Sequence, residues 1–144
     1  MKTLRKAAAA ASLTIIGAGG FAAVVAGPAA AVTGGSIDLE CTPDTTGGGD
    51  PTLSCTASST DGGVALNFVR VNNLTTGSSF VTSARTPCSE GGITNPETIT
   101  FPATEGNKYK VTVANCIGEK TTFKVAPNGT VTVIKVVPAP APIP

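Results

Sequence analysis

Four cysteines, Cys41, Cys55, Cys88 and Cys116, all stand downstream of a segment with the three parts of an export signal. That combination constrains the fold more than any other feature. Lys2, Arg5 and Lys6 form a positive start, residues 7–25 are uncharged and mostly Ala, Ile, Val, Leu and Gly, and Gly27-Pro28 breaks any helix. Ala29-Ala30-Ala31 offers the small side chains a signal peptidase requires. We expect a signal peptide at residues 1–31, cleaved after Ala31, then one domain at 32–137 and a Pro/Ala tail at 138–144. The alternative, a retained membrane anchor, fits less well because the run is rich in Ala and Gly and ends at once in Gly-Pro. Arg5 has no adjacent arginine for a twin-arginine signal, and Cys41 lies ten residues past the cut, too far for lipidation. The expectation is a secreted, extracellular protein with no stable membrane anchor, free or held at a surface by non-covalent contacts. Four cysteines in an oxidising compartment read as two disulfides with three possible pairings. Zinc would call for CxxC spacing and usually histidine, and the chain has neither. No metal or other cofactor is expected.

Removing the signal leaves 113 of 144 residues, enough for one domain. Seven cations then face nine carboxylates, a net charge of −2, and the cations are scattered along the sequence. That balance argues against nucleic acid or anionic lipid as a partner. Large core side chains are few, with five Phe and one Tyr in the whole chain. A core built mainly of Val, Ile, Leu and Ala buries modest area, and covalent staples would support it.

After the signal, Thr, Val and Ile alternate in short runs divided by Gly, Pro, Asn and Asp, the pattern of strands and turns. Eight strands are expected, at 36–42, 52–58, 64–72, 78–84, 97–103, 108–115, 120–126 and 130–137. Their spacing points to an all-β sandwich or barrel. Alternation places Ile37, Leu39 and Cys41 on one face, with Asp38 and Glu40 opposite. Leu53, Cys55 and Ala57 share a face, as do Tyr109, Val111 and Val113, and Phe123 and Val125. Asn128-Gly129 predicts a two-residue hairpin. A hairpin of the first two runs centred near Gly48 would set Cys41 opposite Cys55 within disulfide reach. Cys116 has the parity of Lys110 and Thr112, so it points outward or lies past the strand end. The favoured pairs are therefore Cys41–Cys55 and Cys88–Cys116. The Pro-alternating tail favours a solvated, extended conformation, either a spacer or a frayed end.

Catalytic chemistry has little to build on. Without histidine there is no Ser-His or Cys-His machinery, and oxidised cysteines are not nucleophiles. Asp38 and Glu40 share a face, but outward charges on an edge-like strand are ordinary. Asp44 to Asp50 could clasp calcium, although a flexible turn explains it more simply. Asn73-Leu-Thr75 and Asn128-Gly-Thr130 match a glycosylation sequon, and the second reads more simply as a turn. The chain is not expected to be an enzyme.

Two resemblances extend this reading. Thr52-Leu-Ser-Cys-Thr-Ala-Ser58 resembles the second strand of an immunoglobulin domain, Phe68 stands near that family's core Trp, and Tyr109-Lys-Val-Thr-Val resembles its sixth strand. This implies an immunoglobulin-like sandwich, although Val111 occupies the position of the family's second Cys. The spacing of Cys41 to Cys55 and of Cys88 to Cys116 is similar to that of the secreted subtilisin inhibitors of streptomycetes. That resemblance implies a reactive loop at Ser89, Glu90 and Gly91. The leading expectation is a bacterial, non-catalytic binding or cell-surface module. Its disulfide-pinned loops, with Ser89, Glu90, Gly91 and Gly92 as the candidate binding loop, would meet an extracellular protein or cell-envelope ligand. The alternative is a serine-protease inhibitor presenting residues 88–92 as a substrate mimic.

Overall fold

The computed structural model describes residues 31–61 and 63–140. The expected signal, apart from Ala31, and residues 141–144 of the tail lie outside the described residues. Among the described residues nine strands form: β1 (Val32–Gly34), β2 (Ile37–Asp44), β3 (Thr52–Ser59), β4 (Leu66–Asn73), β5 (Ser79–Arg85), β6 (Glu97–Pro102), β7 (Tyr109–Asn115), β8 (Lys120–Val125) and β9 (Val131–Val137). They make two sheets, ordered β1-β2-β3-β6 and β5-β4-β7-β8-β9. All pairings are antiparallel.

Each of the eight expected runs becomes a strand within two residues of its expected ends. The ninth, β1, corrects the count. Val32-Thr33-Gly34 is too short to show alternation, and its placement depends on distant partners. Ser36 donates its backbone N–H to Glu119 Oε2 at 3.0 Å, and the Thr121 hydroxyl donates to the Gly34 carbonyl at 2.9 Å. A Cβ on Gly35 would lie 2.2 Å from that carboxylate, and its φ of 63° suits the first central position of a tight hairpin turn. β1 covers the outer edge of β2, so β2 is not the edge strand its charges suggested.

The core lies between the sheets, where the alternation placed it. Ile37, Leu39, Leu53 and Phe101 come from one sheet, and Val69, Val111, Val113 and Phe123 from the other. Burying each such side chain contributes about 1.5–3 kcal/mol. Phe101 and Tyr109 pack ring to ring, 5.3 Å between centroids, tilted at 56°. Tyr109 opens β7 and its hydroxyl accepts the Thr104 N–H at 2.7 Å, which ties the β6–β7 loop to the core. β4 carries a bulge between Leu66 and Phe68, so its parity slips there. Leu66, Val69 and Val71 are buried, while Phe68 is half-buried on the outer face. Phe68 is therefore not the core residue its position in the sequence implied.

The 125–131 connection also departs from expectation. Ala126 N–H pairs with the Thr130 carbonyl and Gly129 N–H with the Ala126 carbonyl, so three residues, Pro127, Asn128 and Gly129, form the loop. Proline supplies the φ of the first turn position, which lets the loop use one residue more than Asn-Gly alone. Asn128 Oδ1 accepts the Thr130 N–H, and Asn73 Oδ1 accepts those of Thr75 and Thr76, so both sequon asparagines cap turns.

Candidate functional site

The structure joins Cys41 to Cys55 and Cys88 to Cys116, the pairs that strand parity favours. Cys41 and Cys55 are directly opposed in the β2–β3 ladder, with Cα atoms 4.0 Å apart and both side chains buried. Cys116 lies one residue past the end of β7, half-exposed, with its Cα 5.7 Å from that of Cys88.

The candidate loop at residues 88–92 is a compact turn. Cys88–Glu90 forms a single 3-10 turn that Gly91 closes in a left-handed conformation, donating its N–H to the Cys88 carbonyl. Ser89, Glu90 and Gly91 are exposed and Gly92 is half-buried. Gly92 has a φ of 70°, and a Cβ there would stand 2.7 Å from the Leu66 carbonyl and 3.0 Å from Cys116 Sγ. Only glycine fits. Beyond it, Ile93 exchanges two backbone hydrogen bonds with Leu66, at 3.1 and 2.7 Å. Asn95 accepts from Ser59 N–H and donates to the Ser59 and Val64 carbonyls. The loop is thus well fixed, but it is turned rather than extended.

The other disulfide-held loop, residues 43–51, lies at the opposite end of the sandwich. It sits beside the β6–β7 loop, where Asp50 accepts the Glu105 N–H. Residues 88–92 lie with the β7–β8 turn at the far end, so the two loops cannot form one surface. Nor do the carboxylates of the 44–50 segment work as a pair. Asp44 accepts the hydroxyl and then the N–H of Thr46, which hold its carboxyl below the ordinary value, while Asp50 accepts the Glu105 N–H. Among the described residues, no group of three or more Cys, Asp or Glu is placed to hold a metal ion.

The most distinctive surface is one the linear sequence does not show. Six of the seven cations of the expected mature chain lie on the five-stranded sheet; Lys108, just before β7, is the seventh. None of the nine carboxylates, all among the described residues, lies on those five strands. Cross-strand pairing orders the outer face into three rows, because directly paired residues share a face. One row runs Arg85, Phe68, Ala114, Lys120, Val137. The next runs Ser83, Arg70, Thr112, Thr122, Lys135, and the third Phe80, Asn72, Lys110, Lys124, Thr132. Each row carries two cations.

Scattering along the sequence thus becomes clustering in space, and the net charge of −2 conceals a positive face. An open groove of about 540 Å³ crosses it, with Arg70, Lys110, Lys120 and Lys135 among its lining residues. That volume falls within the range of ligand sites. The Arg70 guanidinium lies over the Phe68 ring, 5.7 Å from its centroid, which accounts for the half-buried aromatic. Lys110 stands directly opposite Lys124, a like-charge pair that lowers stability by about 0.2–1 kcal/mol when nothing lies between them. On β2 of the other sheet, Asp38 and Glu40 point outward, so the two faces have opposite sign. No protein-family model, curated protein or solved structure matches this chain.

Proposed function

We propose that the chain is an exported, non-catalytic binding module on an immunoglobulin-like sandwich, and that it grips its ligand with the cationic outer face of the five-stranded sheet. The immunoglobulin-like reading draws support from β4, β7 and β8 forming one sheet while β2, β3 and β6 form the other. It draws more from Tyr109, which starts a strand and bonds back to Thr104 in the manner of that fold's tyrosine corner. Export is supported by the signal-like leader and the two disulfides.

The observation that carries the binding reading is the six cations on a face without a carboxylate. A sheet surface under no functional demand mixes both signs, because like charges in register cost stability. The loop at Ser89, Glu90, Gly91 and Gly92 becomes a secondary candidate. A segment that docks as a substrate mimic has to be extended so that its backbone can pair, and this one is a closed turn.

The test is sedimentation of the mature protein with envelope fragments of the cells that secrete it. Wild type should co-sediment and be released by salt. The variant Arg70→Ser, Lys110→Thr, Lys124→Thr, Lys135→Thr should stay in the supernatant, while Ser89→Ala with Glu90→Ala should sediment like wild type. Loss of sedimentation in the loop variant alone would move the binding site to the disulfide-held turn.

A further inference from the structure

We infer that the ligand of this face is an acidic polysaccharide, a flexible polyhydroxylated chain bearing repeated carboxylates that lies in the groove across the strands. The inference rests on the binding reading above and names its ligand class. Three observations carry it, and the first is the spacing of charge. Arg70 and Lys135 lie in one row, three strands apart, about 14 Å at ~4.8 Å per strand. Lys110 and Lys124 lie in the neighbouring row, about 7 Å along the strands. Cations are thus distributed over the length of several sugar units rather than focused at one point, which suits a ligand with charge at intervals.

The second observation is what lies between the cations. Thr112 and Thr122 fill the middle of the Arg70 row, and Asn72 and Thr132 flank the two lysines of the next. Hydroxyl and amide groups both donate and accept, which matches the hydroxyls of a sugar chain. The third is the supply of aromatics. Phe68 is the aromatic residue among those lining the groove, and the Arg70 guanidinium already lies over it; Phe80, exposed at the edge strand of the same face, is outside the groove. Single-stranded nucleic acid is gripped through successive aromatic platforms, which this groove lacks. A groove is concave, and so receives a chain more readily than a flat bilayer.

Lys110 and Lys124 give the inference a signature of its own. Their mutual repulsion is relieved when a carboxylate sits between them, so replacing them should weaken binding while sparing or raising stability. The experiment titrates the mature protein with polyuronate oligomers by calorimetry at several salt concentrations, with neutral dextran, a single-stranded oligonucleotide of equal charge and phosphatidylglycerol vesicles alongside. Expected is binding to the polyuronate that weakens linearly in log salt, with a slope of about −2 to −4 by analogy with other flexible polyanions. Dextran should give none. Lys110→Thr with Lys124→Thr should lose about tenfold in affinity with an unchanged or higher melting temperature, which separates loss of contact from loss of fold. Asp38→Asn with Glu40→Gln should bind no worse than wild type.

Tighter binding of the oligonucleotide would overturn the assignment in favour of nucleic acid, and capture by vesicles without polyuronate binding in favour of a membrane surface. Salt-sensitive sedimentation with envelope fragments but no polyuronate binding would sink the ligand class and leave the binding module standing. Failure of both experiments would sink both.

Discussion

Replacing Cys41 and Cys55 together by alanine should lower the free energy of unfolding by about 4 kcal/mol and the melting temperature by roughly 15–20 °C. Closing a loop of this length contributes about 3 kcal/mol through the unfolded state, and removing two buried sulfurs adds lost packing. For the bridge between Cys88 and Cys116 two effects act in opposite directions. Their sequence separation is 28 rather than 14, so loop entropy alone ranks their bridge higher by about 0.6 kcal/mol. Cys88 is exposed and Cys116 lies past a strand end, however, so little packing goes with them. Packing outweighs that margin, and the Cys41–Cys55 variant should be the less stable of the two. Urea melts of both double variants decide the order; the reverse order would mean that the core tolerates the missing sulfurs.

Phe123→Ala should cost about 3–5 kcal/mol, enough to unfold a domain of ordinary stability at moderate temperature. Phe123 is fully buried and paired with Val111, next to the bulge where β9 shifts register. With so few large side chains available, nothing nearby can fill the space it leaves. Its neighbours Thr122 and Lys124 point the other way, and alanine there should change stability by no more than about 0.5 kcal/mol. Phe80 provides the contrast: 63% exposed on edge strand β5, its loss should scarcely register. Denaturant midpoints of these variants read the burial pattern directly. A mild Phe123→Ala phenotype would contradict the sandwich core.

Much of this architecture is legible in the sequence because two-residue alternation reports burial locally. Ile37, Leu39 and Cys41, or Tyr109, Val111 and Val113, declare their inward face without reference to any other strand. The same parity argument, with the hairpin centre near Gly48, leads to the opposition of Cys41 and Cys55. It fails wherever the period slips. The Leu66–Phe68 bulge turns Phe68 outward, and the placement of β1 depends on Glu119 and Thr121, more than eighty residues away.

The cationic face was hidden for a related reason. Arg70, Lys110, Lys124 and Lys135 fall on four different strands, and only the order β4-β7-β8-β9 brings them together. Charge patterning along a sequence carries no information about which strands become neighbours. Net charge misleads further, since the carboxylates that offset the cations lie on the other sheet and in the loops.

The most direct test of binding through this face is an amide NMR titration of residues 32–144 with solubilised envelope fragments. Shifts confined to the neighbourhood of Arg70, Lys110, Thr122, Lys124 and Lys135 are the result this account predicts. Shifts confined to residues 88–92 or 45–51, with the sheet face unmoved, would contradict it.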